Sequence, residues 1–437
     1  MTQTATPEPV DSVYAMVSGD DDVERICSTI PDSACRHAPR NYLLNLANGA
    51  ATKLAEQLAG PRLALPWLLA AHGAPAVAVS ALMPIKQAAS LLPQLLMAGA
   101  VRARPVRKWL WVAAGCTQAG SLILMLAAVL TLPPVAMAAS VLALLALFSA
   151  ASGLASLAFQ DVIAKTVGKG VRGNLLANRA MAGGLLAFGA GLLMQFALDG
   201  AATTWLVVAL LGGGALLWLA AAASLALTVE APGATDGGRN PIDETRAGIA
   251  LVRSAPGYRR YLATRFLLLP VELAAPLFVL AAQDAGGGAL LGLILAAMAL
   301  ADIFSSRLWG DMADRAPGRV LALAGAAGAA AAVGMLLLVA AAQTPDWLHA
   351  MPFALLGVAE SGVRLGRKTW LVDACGDGER ATAVAFGNTL TGIAALLFVA
   401  IGALGMASGA APLAAVALLA VLGGVLALRL PATLGTR

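Results

Sequence analysis

The chain carries little charge for its length. Asp, Glu, Lys and Arg make up only 12% of its 437 residues, whereas hydrophobic residues make up 59%. A soluble domain carries about 25% charged residues. A chain with half that share cannot cover its surface with groups that water solvates, so most of its surface must contact lipid. The composition therefore predicts a protein of the lipid bilayer.

Residues that build metal and catalytic sites are also scarce. The sequence contains three histidines and four cysteines. The cysteines lack a C-x-x-C spacing and the histidines do not cluster, so neither zinc nor a disulfide framework is indicated. There is no clustered basic face for nucleic acid and no G-x-x-x-x-G-K-[ST] loop for ATP. We therefore expect no metal, no cofactor, no nucleic-acid partner and no enzymatic activity.

Long apolar segments account for most of the chain. A helix that spans the hydrocarbon needs about 20 apolar residues, and twelve segments of this kind follow one another with short polar stretches between them. They lie at roughly 43–66, 74–99, 109–131, 135–159, 175–198, 203–228, 262–283, 287–308, 319–342, 349–367, 382–406 and 411–430. The sequence thus predicts an all-α membrane protein with twelve transmembrane helices in two sets of six.

Polar stretches give the expected domain boundaries. We predict a cytoplasmic arm over 1–40, a six-helix bundle over 41–228, a cytoplasmic loop over 229–260, a second bundle over 261–430 and a cytoplasmic tail over 431–437. The acidic start of the chain lacks the basic-then-apolar pattern of a cleaved signal peptide. Within the central loop, Pro241 to Tyr261 could form an amphipathic helix on the inner leaflet or a solvated linker.

Basic residues alternate between the two sides of the predicted layout. Lys and Arg cluster after even-numbered segments, whereas the loops after odd-numbered segments hold only Arg62. Cytoplasmic loops of membrane proteins carry the excess of Lys and Arg. The alternation predicts a multi-pass protein of the inner (plasma) membrane with both termini in the cytoplasm.

Two loops at matching places in the halves share a pattern. One follows the second segment and the other follows the eighth, and both resemble the G-x-x-x-D-R-x-G-R-R/K loop motif of the major facilitator superfamily. The first loop departs from the motif at Ala103 and Val106. The matching residues are Gly99, Arg104, Arg107 and Lys108 in the first loop, and Gly310, Asp314, Arg315, Gly318 and Arg319 in the second.

The resemblance to the major facilitator superfamily implies two pseudo-symmetric six-helix bundles and a cytoplasmic latch at these loops. In that family the latch holds the outward-facing state. We expect Asp314 to dock at the start of the fifth segment, near Arg172, with Arg315 and Arg319 as partners. The absence of a carboxylate at Ala103 would weaken the latch in the first half. Alternatively, the motif residues only set topology and turn geometry.

Ionisable residues inside the apolar segments are the candidate site. Such residues cost several kcal/mol in a bilayer unless they face a polar interior. The third, sixth, ninth and twelfth segments, which are peripheral in the resembling family, contain none in their interiors. The candidates nearest the midplane are Lys53, Glu56, Lys86, Glu272 and Glu360, and those nearer the cytoplasmic ends are Arg265, Asp302 and Arg364.

These charges suggest a function. A glutamate whose surroundings change between two states can take up a proton on one side and release it on the other. We therefore expect a monomeric secondary active transporter that moves a small organic solute by alternating access, coupled to protons. Lys53 and Lys86 would act as counter-ions or bind an anionic group. There are two alternatives. Lys53 and Glu56 could simply neutralise each other, and the protein could be a non-transporting sensor or assembly factor on the same fold.

Overall fold

The computed structural model describes residue 14 and then most of the chain from residue 36 onward. The described residues are 14, 36–168, 171–197, 204–233, 235, 240–283, 287–341, 344–376, 379–405 and 410–435. The predicted arm over 1–40 lies almost entirely outside them.

The first half folds into eight helices. They are α1 (Ala38–Ala59), α2 (Ala64–Ala71), α3 (Ala76–Leu91), α4 (Gln94–Arg102), α5 (Lys108–Thr131), α6 (Pro134–Thr166), α7 (Arg172–Ala197) and α8 (Thr204–Ala226). The first two predicted segments are each divided into two helices. The first break falls at Gly60 and Pro61, where a Cβ on Gly60 would lie 2.0 Å from the Glu56 carbonyl oxygen. Only glycine tolerates so close an approach.

The second half also folds into eight helices. They are α9 (Pro241–Ser254), α10 (Pro256–Leu273), α11 (Ala275–Ala282), α12 (Gly287–Ala313), α13 (Pro317–Ala340), α14 (Ala350–Ala374), α15 (Arg380–Gly405) and α16 (Ala411–Ala427). Proline occupies the first turn of α10 and α13, where its missing N–H is not needed. The seventh predicted segment begins at Pro256, six residues earlier than expected at 262.

Eight helical segments within the described residues are long and apolar enough to cross a membrane. The other four predicted segments are helical but fall outside that group for identifiable reasons. The first two are broken into shorter helices, α16 has 17 residues, and α14 carries charged residues along its length. The prediction of an all-α membrane protein is confirmed.

Two bundles form around a continuous apolar core. In the first half α1 packs on α7 and α8, and in the second half α13 packs on α14 and α16. The halves meet where α7 lies on α12 and where α3 lies on α15. This is the six-plus-six arrangement expected from the sequence.

The two ends of the bundle differ. We call the end that carries residues 229–233 and α9 the linker end, and the other the opposite end. At the opposite end α2 packs on α11, and the Gln283 side chain donates a hydrogen bond to the Ala70 carbonyl oxygen at 3.1 Å. There a Cβ on Gly191 would lie 2.6 Å from the Ala296 nitrogen, and one on Gly292 would lie 2.5 Å from the Gln195 nitrogen. Glycine thus lets α7 and α12 pack closely at this end.

The central loop contains the predicted amphipathic helix, α9. Asn240 caps it by accepting a hydrogen bond from the Ile242 nitrogen, as N-cap residues do. Glu244 accepts a hydrogen bond of 2.6 Å from Thr382 on α15, and Gly248 lies directly against the Phe386 ring. The helix is therefore seated on α15 rather than being a solvated linker.

The C-terminal residues close over the linker end of the second half. Leu434 is buried and donates a backbone hydrogen bond of 3.3 Å to the Ala374 carbonyl oxygen. Its own carbonyl accepts one of 3.0 Å from Gly257. Leu434 and Cys375 belong to the same buried cluster, so the tail shields the thiol.

We predict that Cys375 reacts slowly with maleimide until the tail is removed. Burial, with a smaller contribution from Glu379, raises the pKa of the Cys375 thiol to about 11. The thiolate is the reactive form, so labelling at neutral pH should be roughly 100-fold slower than that of an ordinary thiol. Deleting residues 431–437 in a Cys27→Ser, Cys35→Ser, Cys116→Ser background should raise the rate at least tenfold. Equal rates with and without the tail would contradict this.

Candidate binding and coupling site

A buried arginine joins the two halves at the centre of the molecule. Arg62 lies in the break between α1 and α2. Its Nη1 is 2.9 Å from Oδ2 of Asp302 on α12, and its Nε is 2.8 Å from Oε2 of Glu360 on α14. We call these three residues the ion triad. The guanidinium comes from the first half and both carboxylates come from the second.

The ion triad holds one positive charge against two negative ones. Glu360 is buried, with 6% of its side chain exposed, and a buried carboxylate is stable only when it is paired and hydrogen-bonded. Within the described residues, Oε1 of Glu360 and Oδ1 of Asp302 have no hydrogen-bond partner. The three side chains by themselves thus carry a net charge of −1, and Nη2 of Arg62 is likewise without a hydrogen-bond partner there.

Two further ionisable candidates lie on α10. Glu272 on α10 pairs with Arg367 on α14 at 3.3 Å. Arg265, also on α10, donates a hydrogen bond of 2.9 Å to Oδ1 of Asn388 on α15. Asn388 in turn donates to Gln94 of the first half at 3.3 Å. The second-half candidates are thus connected to one another and to the facing bundle.

Lys53 and Glu56 face an open space between the halves. Their side chains are 51% and 47% exposed and stand 3.8 Å apart, although α1 is covered by α7 and α8. Lys53 interacts electrostatically with Asp302 and Lys368 of the second half, which places it on the side of α1 that faces them. The space lies on the linker side of the triad, because Lys368 is six residues from the linker end of α14.

The remaining candidates divide by exposure. Arg364 is exposed on α14, and Lys86 is partly buried on α3. Arg364 interacts electrostatically with both carboxylates of the ion triad. Lys86 forms no ion pair with any residue that the structure describes. The structure thus groups seven of the eight candidates and leaves Lys86 apart.

Several functional side chains were missed in the sequence. Arg62 was counted as a loop charge near the end of the first apolar segment, although Gly60 and Pro61 before it signal a break. Arg367 and Lys368 were treated as loop charges. A polar contact between α1 and α7 was also missed: Arg179 donates to the Asn45 carbonyl oxygen at 2.9 Å and to Oδ1 of Asn48 at 3.1 Å.

The first motif loop forms a dense network at the linker end. Arg107 pairs with Asp161 on α6. Glu230 accepts hydrogen bonds from the backbone nitrogens of Arg107 at 3.0 Å and Lys108 at 2.7 Å, and pairs with Lys165 at 3.0 Å. A carboxylate at the start of α5 is favoured by the helix dipole. Glu230 and Asp161 thus place negative charge beside this loop, which has no carboxylate at position 103, and the expectation of a weaker first-half latch stays a prediction.

The second motif loop is exposed. Asp314, Arg315 and Arg319 lie at a cleft of about 390 Å³ with Trp370, Asp373 and Pro431. The expected contact between Asp314 and Arg172 is not formed in this structure. Arg172 instead donates to the carbonyl oxygens of Val167 and Ala164 at 2.8 and 2.6 Å. Gly318 has a packing role, since a Cβ there would lie 2.9 Å from the Ala427 carbonyl oxygen.

The structure is similar to that of a D-xylose-proton symporter, with a TM-score of 0.65 and 15% identity over 90% of this chain and 98% of that one. It is also similar to a POT family transporter bound to a thioalcohol-conjugated peptide, with a TM-score of 0.62 and 12% identity over 92% of this chain and 98% of that one. A third similar structure is that of the nucleoside transporter NupG, with a TM-score of 0.62 and 14% identity over 89% of this chain and 98% of that one. The chain therefore has the major facilitator fold.

In sequence, the chain is similar to uncharacterized proteins of Mycobacterium tuberculosis and Mycobacterium bovis. The identity is 29% over 429 residues, which cover 91% of this chain and 78% of theirs. No protein-family model matches the chain.

We predict that Arg62→Ala destabilises the protein strongly. Removing one partner of a buried ion pair leaves uncompensated charge and costs about 3–5 kcal/mol. The loss should appear as a lower midpoint in denaturant unfolding of the purified protein. Adding Asp302→Asn and Glu360→Gln to Arg62→Ala should recover most of it, because no buried charge then remains. A triple variant as unstable as the single one would argue against the ion triad.

Proposed function

We propose that the protein is a secondary active transporter that moves a small organic solute by alternating access and couples this movement to protons. The observation that carries the proposal is the ion triad, in which a charge of the first half binds two carboxylates of the second. It lies on the side of α1 and α14 where Lys53, Glu56 and Arg364 are exposed. Charged residues of both halves that face one another between the bundles fit the site of a carrier.

The contacts between the halves support alternation. At the opposite end they consist of close backbone packing at Gly191 and Gly292 and of α2 against α11. With the linker end cytoplasmic, as the basic residues indicate, the half-exposed Lys53 and Glu56 would be reached from the cytoplasm. Rocking of one half against the other would open the opposite end.

Glu360 is the proposed proton acceptor. While it is ionised, Arg62 binds both carboxylates and holds the halves together. Protonation of Glu360 leaves Arg62 with Asp302 alone, which weakens the bond between the halves and restores charge balance. Movement of the halves would then carry the proton across.

We predict that Glu360→Gln abolishes the pH dependence of transport, because the amide cannot gain or lose the proton. The measurement is the transport current of proteoliposomes on a solid-supported membrane, with metabolite pools as substrate and an imposed proton gradient. Glu379→Gln, outside the spans, is the matched control and should keep the wild-type dependence. If the substrate current of Glu360→Gln depends on pH as strongly as that of the wild type, the proposed coupling through Glu360 is refuted. If no substrate-dependent current is seen in the wild type, a non-transporting role is favoured.

We predict that Gly191→Val shifts the protein towards the state open at the opposite end. Its side chain would clash with the α12 backbone, whereas Gly189→Val on the same helix meets open space and serves as the control. A single cysteine at position 53 (Lys53→Cys in a cysteine-free background) reports how easily a thiol reagent reaches the space between the halves. Labelling by a membrane-impermeant thiosulfonate from the opposite side should rise several-fold with Gly191→Val only. The same rate in both glycine variants would contradict the assignment of this contact as a gate.

A further inference from the structure

We infer that the solute is an organic anion, bound between Lys53 of the first half and Arg364 and Lys368 of the second. We call these three residues the cationic cluster. The inference rests on the proposed function, since it names the chemical class that the carrier would accept.

Most of the carboxylates around the space already have partners. Asp302 and Glu360 bind Arg62, and Glu272 binds Arg367. Glu56 lies 3.8 Å from Lys53, and both side chains are about half exposed, so their attraction is weakened by solvent. Among the described residues, Arg364 and Lys368 form no ion pair. The positive charge of this space is therefore in excess.

The members of the cationic cluster repel one another. Lys368 interacts unfavourably with Arg364 and Arg367 on its own helix and with Lys53 across the space. Arg364 and Lys368 are four residues apart, so they point to the same side of α14. A negative group between these like charges would turn their repulsion into attraction.

The cluster is positioned to receive such a group. The stem of Lys53 lies against Gly183 on α7, where a Cβ would come within 2.3 Å of the Lys53 Cβ. That contact fixes the start of the side chain while its half-exposed end extends into the space. The guanidinium of Arg364 is exposed and can offer two parallel N–H groups, the geometry that matches a carboxylate or a phosphate.

Binding of an anion here would also favour closure. The ligand would contact both halves, so its affinity would be higher in a state in which they approach each other at the linker end. A ligand shifts an equilibrium between two states by its difference in affinity for them. The anion would thus promote the transition that carries it across.

The test is ligand-induced thermal stabilisation of the purified full-length protein. The probes are succinate and citrate as carboxylates, glycerol 3-phosphate as a phosphate ester, glycerol as a neutral compound and putrescine as a cation. We expect at least one anionic class to stabilise the protein, and the carboxylate and phosphate arms identify which. Arg364→Gln and Lys368→Gln should each weaken the apparent affinity at least tenfold, whereas Lys368→Arg should retain it.

Arg246→Gln is the matched control, because Arg246 is an exposed cation on α9 far from the space, and it should bind as the wild type does. Any of three results would overturn the inference. They are stabilisation by glycerol or putrescine alone, an unchanged affinity in both glutamine variants, and no response to any anion. The assay needs no transport. Binding of an anion without flux would refute the proposed function alone, whereas proton-coupled flux of a neutral solute would refute the anion site alone.

Discussion

The burial of Arg62 against two carboxylates is the constraint on which the centre of the molecule depends. Moving a guanidinium out of water carries a large desolvation penalty, which only close, well-directed partners can offset. The first span must therefore break at Gly60 to bring Arg62 inward, and α12 and α14 must present Asp302 and Glu360 at the same depth. Three features of the fold bring these side chains together. They are the break in the first helix, the packing of α12 on α14 and the approach of the two halves.

Rigidity within the first half complements mobility between the halves. Arg107, Asp161 and Glu230 tie α5, α6 and the start of the linker together at the linker end. In the second half the C-terminal residues bind the ends of α10 and α14. These contacts stay within one half and need not change when the halves move. The contacts between the halves combine close glycine packing, a buried apolar cluster of Met83 with Leu269, Leu273 and Ala395, and a few hydrogen bonds and ion pairs.

The sequence predicted the architecture because the thickness of the bilayer sets the length of each apolar segment. It also located Glu360, Asp302, Glu272 and Lys53, since charge in an apolar segment is rare enough to stand out. It misplaced Arg62, because hydropathy cannot distinguish the end of a span from a bend inside one. The partner of Arg107 was missed for a different reason: Glu230 lies 123 residues away, and no local pattern joins the two. Such pairings arise only from the packing of whole helices.

The imbalance of charge in the ion triad distinguishes it from a purely structural salt bridge. A bridge selected only for stability would match one cation with one anion and satisfy every acceptor, since unpaired buried groups are costly. Here a second carboxylate is retained, and among the described residues Oε1 of Glu360 and Oδ1 of Asp302 have no hydrogen-bond partner. Protonation of one of the two carboxylates would lower the cost of burying both. The linker end, meanwhile, carries a cationic excess that only a negative ligand would reduce. The ion triad and the cationic cluster are electrostatically linked, because Lys53 interacts with Asp302 and Arg364 interacts with both Asp302 and Glu360. A proton bound at the triad would therefore change the energy of binding an anion at the cluster, and an anion would change that of the proton.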